Sequence, residues 1–156
     1  MRFLRFWENT IDPIENVQRW AMSDDLHAVG PLAEALASRR RHIRDIAEDA
    51  LIRLLPRLTK EHAALLDKNQ RANLNHALSG RSRSLTLAIL HAWEQIGDHE
   101  ARWYVHNLCI RTKNPEVAAA AQACYLILNE RAIKGPDQLL RGSLPPSAPA
   151  QGPKEA

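Results

Sequence analysis

Aromatic residues make up only 5% of this 156-residue chain and β-branched ones are few and scattered, which withholds the raw material of a β-sheet. Cysteine occurs twice, at Cys109 and Cys124, too rarely for a disulfide framework, and both fall inside helical patterns rather than loops. They read as buried, reduced thiols of a protein in a reducing compartment. Glycine-rich phosphate loops are absent. No apolar run reaches the length of a membrane span, and in the N-terminal stretch Met1-Arg2-Phe3-Leu4-Arg5-Phe6-Trp7 no signal-like apolar run develops before Glu8 and Asp12. The expectation is a cytoplasmic protein without a membrane partner. The net charge of +3 is mild for a dedicated nucleic-acid binder, so the position of the charge matters more than its sum.

What is present is helical material, rich in Ala, Leu and Arg. The stretch from Gly97 to Leu128 reads as two helices and a polar turn. Asp98 caps the first helix, Ala101, Val105, Leu108 and Cys109 share one of its faces, and Pro115 opens the second. Neither helix can hide its apolar stripe alone. Asp25 to Leu36 aligns without gaps on Asp98 to Cys109, and Pro31 is expected to kink the helix it interrupts. The second helices repeat more strictly. Counted from Ile43, Leu85 and Val117, the residues three, four, seven, eight and eleven positions later are all apolar or small. They are Ile46, Ala47, Ala50, Leu51 and Leu54; Ala88, Ile89, Ala92, Trp93 and Ile96; Ala120, Ala121, Cys124, Tyr125 and Leu128. Spacings of 42 and 32 residues fall in the range of helical repeats. The longer middle repeat contains an inserted short helix, Thr59 to Leu66, ahead of its main first helix, Asn69 to Leu78. Trp93 and Tyr125 read as packing residues.

The chain divides into an N-terminal helical cap (1–23), carrying Phe3, Phe6 and Trp7, a repeat region (24–134, parted at about 24–56, 57–96 and 97–134) and a Pro-rich tail (135–156). The run Ile96-Gly97-Asp98-His99-Glu100-Ala101 resembles the Gly-Asp-Pro-x-Ala junction of HEAT repeats, in particular the short HEAT-like repeats first associated with phycobilisome lyases. His42-Ile43-Arg44-Asp45-Ile46-Ala47-Glu48-Asp49-Ala50-Leu51 is similar to that family's second helix. The resemblance covers roughly residues 24 to 131 and implies an all-α fold, a short right-handed α-solenoid of about three helical hairpins with an N-terminal cap. The family's arginine after the first apolar residue of the second helix is present only as Arg44, with Thr86 and Ala118 in the other repeats, so a continuous Asp–Arg ladder is not expected. HEAT-like deoxyhypusine hydroxylases hold iron through several His-Glu pairs on second helices; this chain has the single pair His99-Glu100, on a first helix, so that activity is not implied.

His99-Glu100 also begins like the zinc motif H-E-x-x-H, but Trp103 stands where the second histidine belongs. Ser79, Ser82 and Ser84 lie in a turn with no spacing that nominates a base. The expectation is therefore no catalytic residue, no metal, no cofactor and no enzyme activity. The informative feature is charge. The turns within the repeats hold Arg39, Arg40 and Arg41, then Arg81 and Arg83, then Arg111 and Lys113, and in a solenoid such turns share one edge. Trp7, Trp103 and Tyr104 are the candidate exposed aromatics. The chain reads as a scaffold or protein-interaction module, its basic edge suited to an acidic protein, or as one that self-associates. Nucleic-acid binding through the same turns is the alternative, and the family resemblance adds a third reading, an accessory subunit of a bilin lyase.

Overall fold

The computed structural model describes residues 13–80 and 82–133, in which all regular structure is helical and no strand occurs. Seven α-helices follow one another: α1 (Pro13–Met22), α2 (Val29–Ala35), α3 (Arg41–Leu54), α4 (Lys68–Ala77), α5 (Arg83–Ile96), α6 (His99–Arg111) and α7 (Pro115–Ile133). Short 3-10 helices at Leu26–Ala28, Leu55–Arg57 and Lys60–Leu65 lie between them. Contacts follow a helical-repeat scheme. One layer runs α2, α4, α6, the other α1, α3, α5, α7, and the pairs α2/α3, α4/α5 and α6/α7 join the layers. Order is thus propagated from each element to the next two along the chain.

Burial keeps the register of the second helices. Ile43, Leu85 and Val117 are buried, Ala47, Ile89 and Ala121 have no exposed surface, and Ala50, Ala92 and Cys124 fill the small slot. Leu54, Ile96 and Leu128 close the row, while Ile46 and Ala120 pack at its margin. Trp93 is fully buried and donates its indole N–H to Asn75 Oδ1 at 3.0 Å. Tyr125, in the same slot of α7, is only half-buried, against His106 with ring centroids 4.9 Å apart, because no helix follows α7 among the described residues.

An aspartate opens the first-helix segment of all three repeats, capping α4 and α6 directly and the 3-10 turn that leads into α2. Asp25 Oδ1 accepts from the His27 amide at 2.9 Å, Asp67 Oδ1 from Gln70 at 2.8 Å, and Asp98 Oδ1 from Ala101 at 2.9 Å. Asp67 moves the start of α4 one residue ahead of the expected Asn69, and Gln70 Oε1 completes its capping box by accepting the Asp67 amide at 2.9 Å. The expected kink at Pro31 is corrected. The chain enters through the 3-10 turn Leu26–Ala28 and α2 begins at Val29, so Pro31 lies in the first turn, where an amide has no intrahelical acceptor to lose. The inserted Thr59 to Leu66 segment is a 3-10 helix whose Thr59 amide donates to His62 Nδ1 at 2.9 Å.

Arginines bind the ends of neighbouring helices through backbone carbonyls. Arg71 on α4 donates to Ala63 O at 2.7 Å, Leu66 O at 3.3 Å and Ile96 O at 2.8 Å, lies 3.7 Å from Asp98, and sits 5.9 Å over the Trp93 ring. Arg131 on α7 closes the end of α5 through Gly97 O and Glu94 O, and Arg53 on α3 closes the end of α1 through Ala21 O at 2.6 Å and Ser23 O at 3.3 Å. A guanidinium at a helix C-terminus meets both the free carbonyls and the negative end of the dipole. Arg44 turns back to Ser38 O at 2.8 Å within its own repeat. Gly97 has an ordinary φ of −65°, yet a Cβ there would stand 2.7 Å from Trp93 O and 2.8 Å from Leu128 Cδ2, so close approach of α7 requires glycine.

Two substitutions test these ties by urea denaturation. Arg71→Lys keeps the charge but loses the fork, and is expected to cost about 2 kcal/mol; Gly97→Ala is expected to cost about 1–3 kcal/mol through overpacking. An Arg71→Lys protein with the wild-type midpoint and slope would show that the carbonyl contacts contribute nothing to the seam.

Candidate interaction edge and groove

The three turns within the repeats lie side by side. A cavity of about 300 Å³ is lined by Leu36, Ala37 and Arg44 on one side and His76, Gly80 and Ser82 on the other. A second, of about 450 Å³, joins Ser79 and Gly80 to Arg111 and Thr112. Arg39, Arg40, Arg41, Arg83, Arg111 and Lys113 are all exposed along this border, while Arg81 lies outside the described residues.

Ion pairs divide the charges into two populations. At the junctions between repeats, Asp24 meets Arg53 at 3.9 Å and Arg57 at 3.6 Å, and Asp98 meets Arg71 at 3.7 Å. Along the turn edge, Arg83 pairs with Glu116 at 2.9 Å and Arg41 with Asp45 at 3.8 Å, one helical turn on. Arg39, Arg40, Arg111 and Lys113 form no ion pair among the described residues.

A groove separates α4 from α6. It consists of the 450 Å³ cavity and an adjoining one of about 490 Å³, which share Asn75, Trp103 and Tyr104. The farther cavity is edged by Lys68, His99 and Glu100. Trp103 is 62% exposed and meets Tyr104 edge-on at 4.9 Å; Tyr104 is half-buried and meets His76 edge-on at 5.7 Å. The groove has a steric cause. Between α2 and α4 the Gln70 side chain packs onto the α2 backbone at Gly30, where a Cβ would lie 2.8 Å from Gln70 Oε1, and Asn73 Nδ2 reaches Ala33 O at 3.1 Å. In the next seam α4 has Ala72 where α2 has Gly30, and Tyr104 stands where α4 has Asn73, so the neighbours are held apart. Of the candidate aromatics, Trp103 is the exposed one and Tyr104 forms the floor; Trp7 lies outside the described residues.

The remaining candidate chemistry is accounted for locally. His99 and Glu100 are exposed at the start of α6, and among the described residues no group of three His, Cys, Asp or Glu side chains converges as a cation site. Ser79 Oγ donates to His76 O at 2.9 Å, and Ser82 Oγ caps α5 by accepting the Leu85 amide at 3.2 Å. Both cysteines are free; burial pushes the Cys109 thiol up from 9.0 and the Cys124 thiol up to about 12, away from thiolate chemistry. Among the described residues no helix is long and apolar enough to cross a membrane.

The titratable group missed in the sequence is Glu34. It is 4% exposed between α2 and α4, its Oε2 accepts from Gln70 Nε2 at 2.8 Å, and its Oε1 has no hydrogen-bond partner among the described residues. Burial, reinforced by Asp67, raises its pKa from 4.5 against the pull of the Gln70 amide. A carboxyl whose folded pKa lies above its unfolded value is best tolerated below 4.5; stability declines as pH rises through 4.5 to the folded pKa and is level above it. Glu34→Gln removes that decline, so the variant is expected to be more stable than the parent at pH 7 and to lose this advantage at pH 3.5. Urea melts of both proteins at the two pH values decide it: a difference that does not change with pH would mean Glu34 keeps an ordinary pKa in the fold. No protein-family model, curated protein or solved structure matches the chain.

Proposed function

We propose that the protein is a non-catalytic interaction module built on HEAT-like repeats, a right-handed solenoid of the hairpins α2/α3, α4/α5 and α6/α7 capped by the N-terminal helical segment, which takes an acidic partner protein along its turn edge. It works in the cytoplasm without a cofactor. The observation that carries this reading is the sorting of charge. Junction arginines are engaged with carbonyls and aspartates, whereas along the border only Arg41 and Arg83 are ion-paired and Arg39, Arg40, Arg111 and Lys113 form no ion pair among the described residues. Solubility requires no such segregation. A row of unpaired cations produces a field that steers acidic surfaces and selects against basic ones. Beside Arg111, the groove offers Trp103 and Tyr104 as a contact for an apolar anchor, the kind of aromatic patch that carries most of an interface's energy.

The reading is tested by fluorescence anisotropy with labelled poly-L-glutamate and, separately, a labelled DNA duplex, each across a salt series. The expected result is salt-sensitive binding of polyglutamate that weakens about tenfold or more when Arg39, Arg40, Arg111 and Lys113 are changed to Glu. Tighter binding of the duplex would replace the acidic protein by nucleic acid. Equal binding by parent and variant would remove the edge as a site.

A further inference from the structure

The groove between α4 and α6 has an aromatic floor and an uncharged middle. Trp103 and Tyr104, with ring centroids 4.9 Å apart and planes at 83°, form a corner at its centre. The Trp103 indole N–H and the Tyr104 hydroxyl form no hydrogen bond among the described residues. Charge stands only at the two ends, Lys68, His99 and Glu100 at one and Arg111 at the other. Such a surface suits a proline-rich strand. Proline rings pack flat on aromatic faces, and because proline has no N–H its segment presents carbonyl acceptors to donors such as the indole. The chain contains a segment of this kind. Leu144-Pro145-Pro146-Ser147-Ala148-Pro149 has the P-x-x-P spacing at Pro146 and Pro149, and from Gly142 to Pro153 no Asp, Glu, Lys or Arg occurs.

We infer that residues 144–149, which lie outside the described residues, occupy the α4/α6 groove of their own chain with their prolines against Trp103 and Tyr104, so that the apolar anchor of a partner must displace them. Length fits this occupant. Along α6 the groove runs from His99 to Arg111, about 18 Å, and the segment in polyproline form covers about 19 Å at about 3.1 Å per residue. Position fits as well. Arg131, near the end of α7, donates to Gly97 O at 3.0 Å, so α7 ends beside the start of α6, where the groove opens between Lys68 and His99. Residues 134–143 can bridge up to about 33 Å, more than the width of two helices side by side, about 20 Å. Tethering then sets the strength. It holds the segment at an effective concentration of about 1 mM, at which an intrinsic dissociation constant of about 100 µM fills about nine grooves in ten. Docking of the tail rests on the groove of the proposed interaction module but not on the cations of its edge, so the two readings fail separately.

Solution NMR of the full chain decides it. The Trp103 indole N–H resonance, assigned by its loss in Trp103→Phe, is expected to show contacts to proline ring protons in the parent. It is expected to shift in the full chain carrying Pro145→Ser, Pro146→Ser and Pro149→Ser, while that of Trp20, on α1, stays in place. A synthetic peptide of residues 142–153 is expected to bind the triple-Ser chain at about 100 µM and the parent about tenfold more weakly, because the parent groove is already filled. Trp103→Ala in the triple-Ser chain is expected to weaken the peptide at least about tenfold at an unchanged melting temperature. Reversal of Arg39 and Arg40 to Glu is expected to leave these results as they are, whatever it does to polyglutamate. A Trp103 resonance identical in parent and triple-Ser chain overturns the inference, as does a peptide that binds both equally; the groove is then open to another protein. Proline contacts that grow between about 20 and about 500 µM chain overturn it too, since they assign the segment to the groove of a second copy.

Discussion

The dry seam between successive hairpins is the constraint from which the rest of the molecule follows. Each helix has one apolar stripe, and a pair of helices cannot cover both stripes without a neighbour. At about 25 cal/mol per Å² of apolar surface kept from water, the cost of leaving a stripe wet exceeds what local helix propensity returns. Ala47, Ile89 and Ala121 have no exposed surface because hairpins lie on both sides or within the angle between layers. The small residues Ala50, Ala92 and Cys124 set how closely the helices approach. Register at the seam then decides everything outside it. If the buried row is fixed at every third and fourth residue, the turns that follow are fixed too, and Arg39, Arg83 and Arg111 arrive along one border as a consequence of packing.

The seams are not equivalent, and their differences place the groove. Between α2 and α4 the contact is tight and polar, with Gly30 leaving room for the Gln70 amide and Glu34 buried beside it. Between α4 and α6 Tyr104 wedges the first-helix layer open, with Trp103 edge-on against it, while Arg71 beneath ties α4 to the end of α5 through Ile96 O and Trp93 and reaches Asp98 of the next repeat. A groove can exist there without loss of the core, because the second-helix layer carries the dry contact and the guanidinium satisfies the carbonyls. Local opening and global order are separated by layer.

Much of the architecture was legible because burial is periodic and periodicity is written in residue types. Ile43, Leu85 and Val117 begin rows that any core would recognise, and Asp25 and Asp98 stand at the start of the first-helix segments in the way helix caps must. Asp67 was readable by the same signal, Asp-x-x-Gln ahead of a helix, but the inserted 3-10 segment drew the boundary one residue late. Pro31 was misjudged because its cost depends on where the helix starts, and the 3-10 entry that moves the start is a backbone matter without a residue signature. Arg53, Arg71 and Arg131 were illegible for a related reason. Their acceptors are carbonyls, which every residue possesses, so no partner type betrays them. Glu34 and Gln70 stand 36 positions apart and become a pair only when two repeats close on each other.

A stack built by propagation has edges and ends, and these two surfaces differ in the chemistry they accept. The edge carries exposed cations without an ion pair among the described residues, so attraction there is Coulombic and fades within a Debye length, about 8 Å at physiological ionic strength. Among the described residues α6 and α7 expose isoleucine, leucine and tryptophan, whose contacts depend on water exclusion and hold or strengthen as salt rises. On the opposite side α1 packs on α2 and α3, which covers that flank of the second-helix layer. Exposure of the apolar end therefore is not a symmetric consequence of having few repeats; it belongs to the last hairpin, where substitution of large apolar side chains for Gly30 and Ala37 adds surface that an ordinary solvent-facing terminus would lack. Salt separates the two surfaces physically: conditions that screen the charges of the edge leave the apolar side chains of α6 and α7 as averse to water as before.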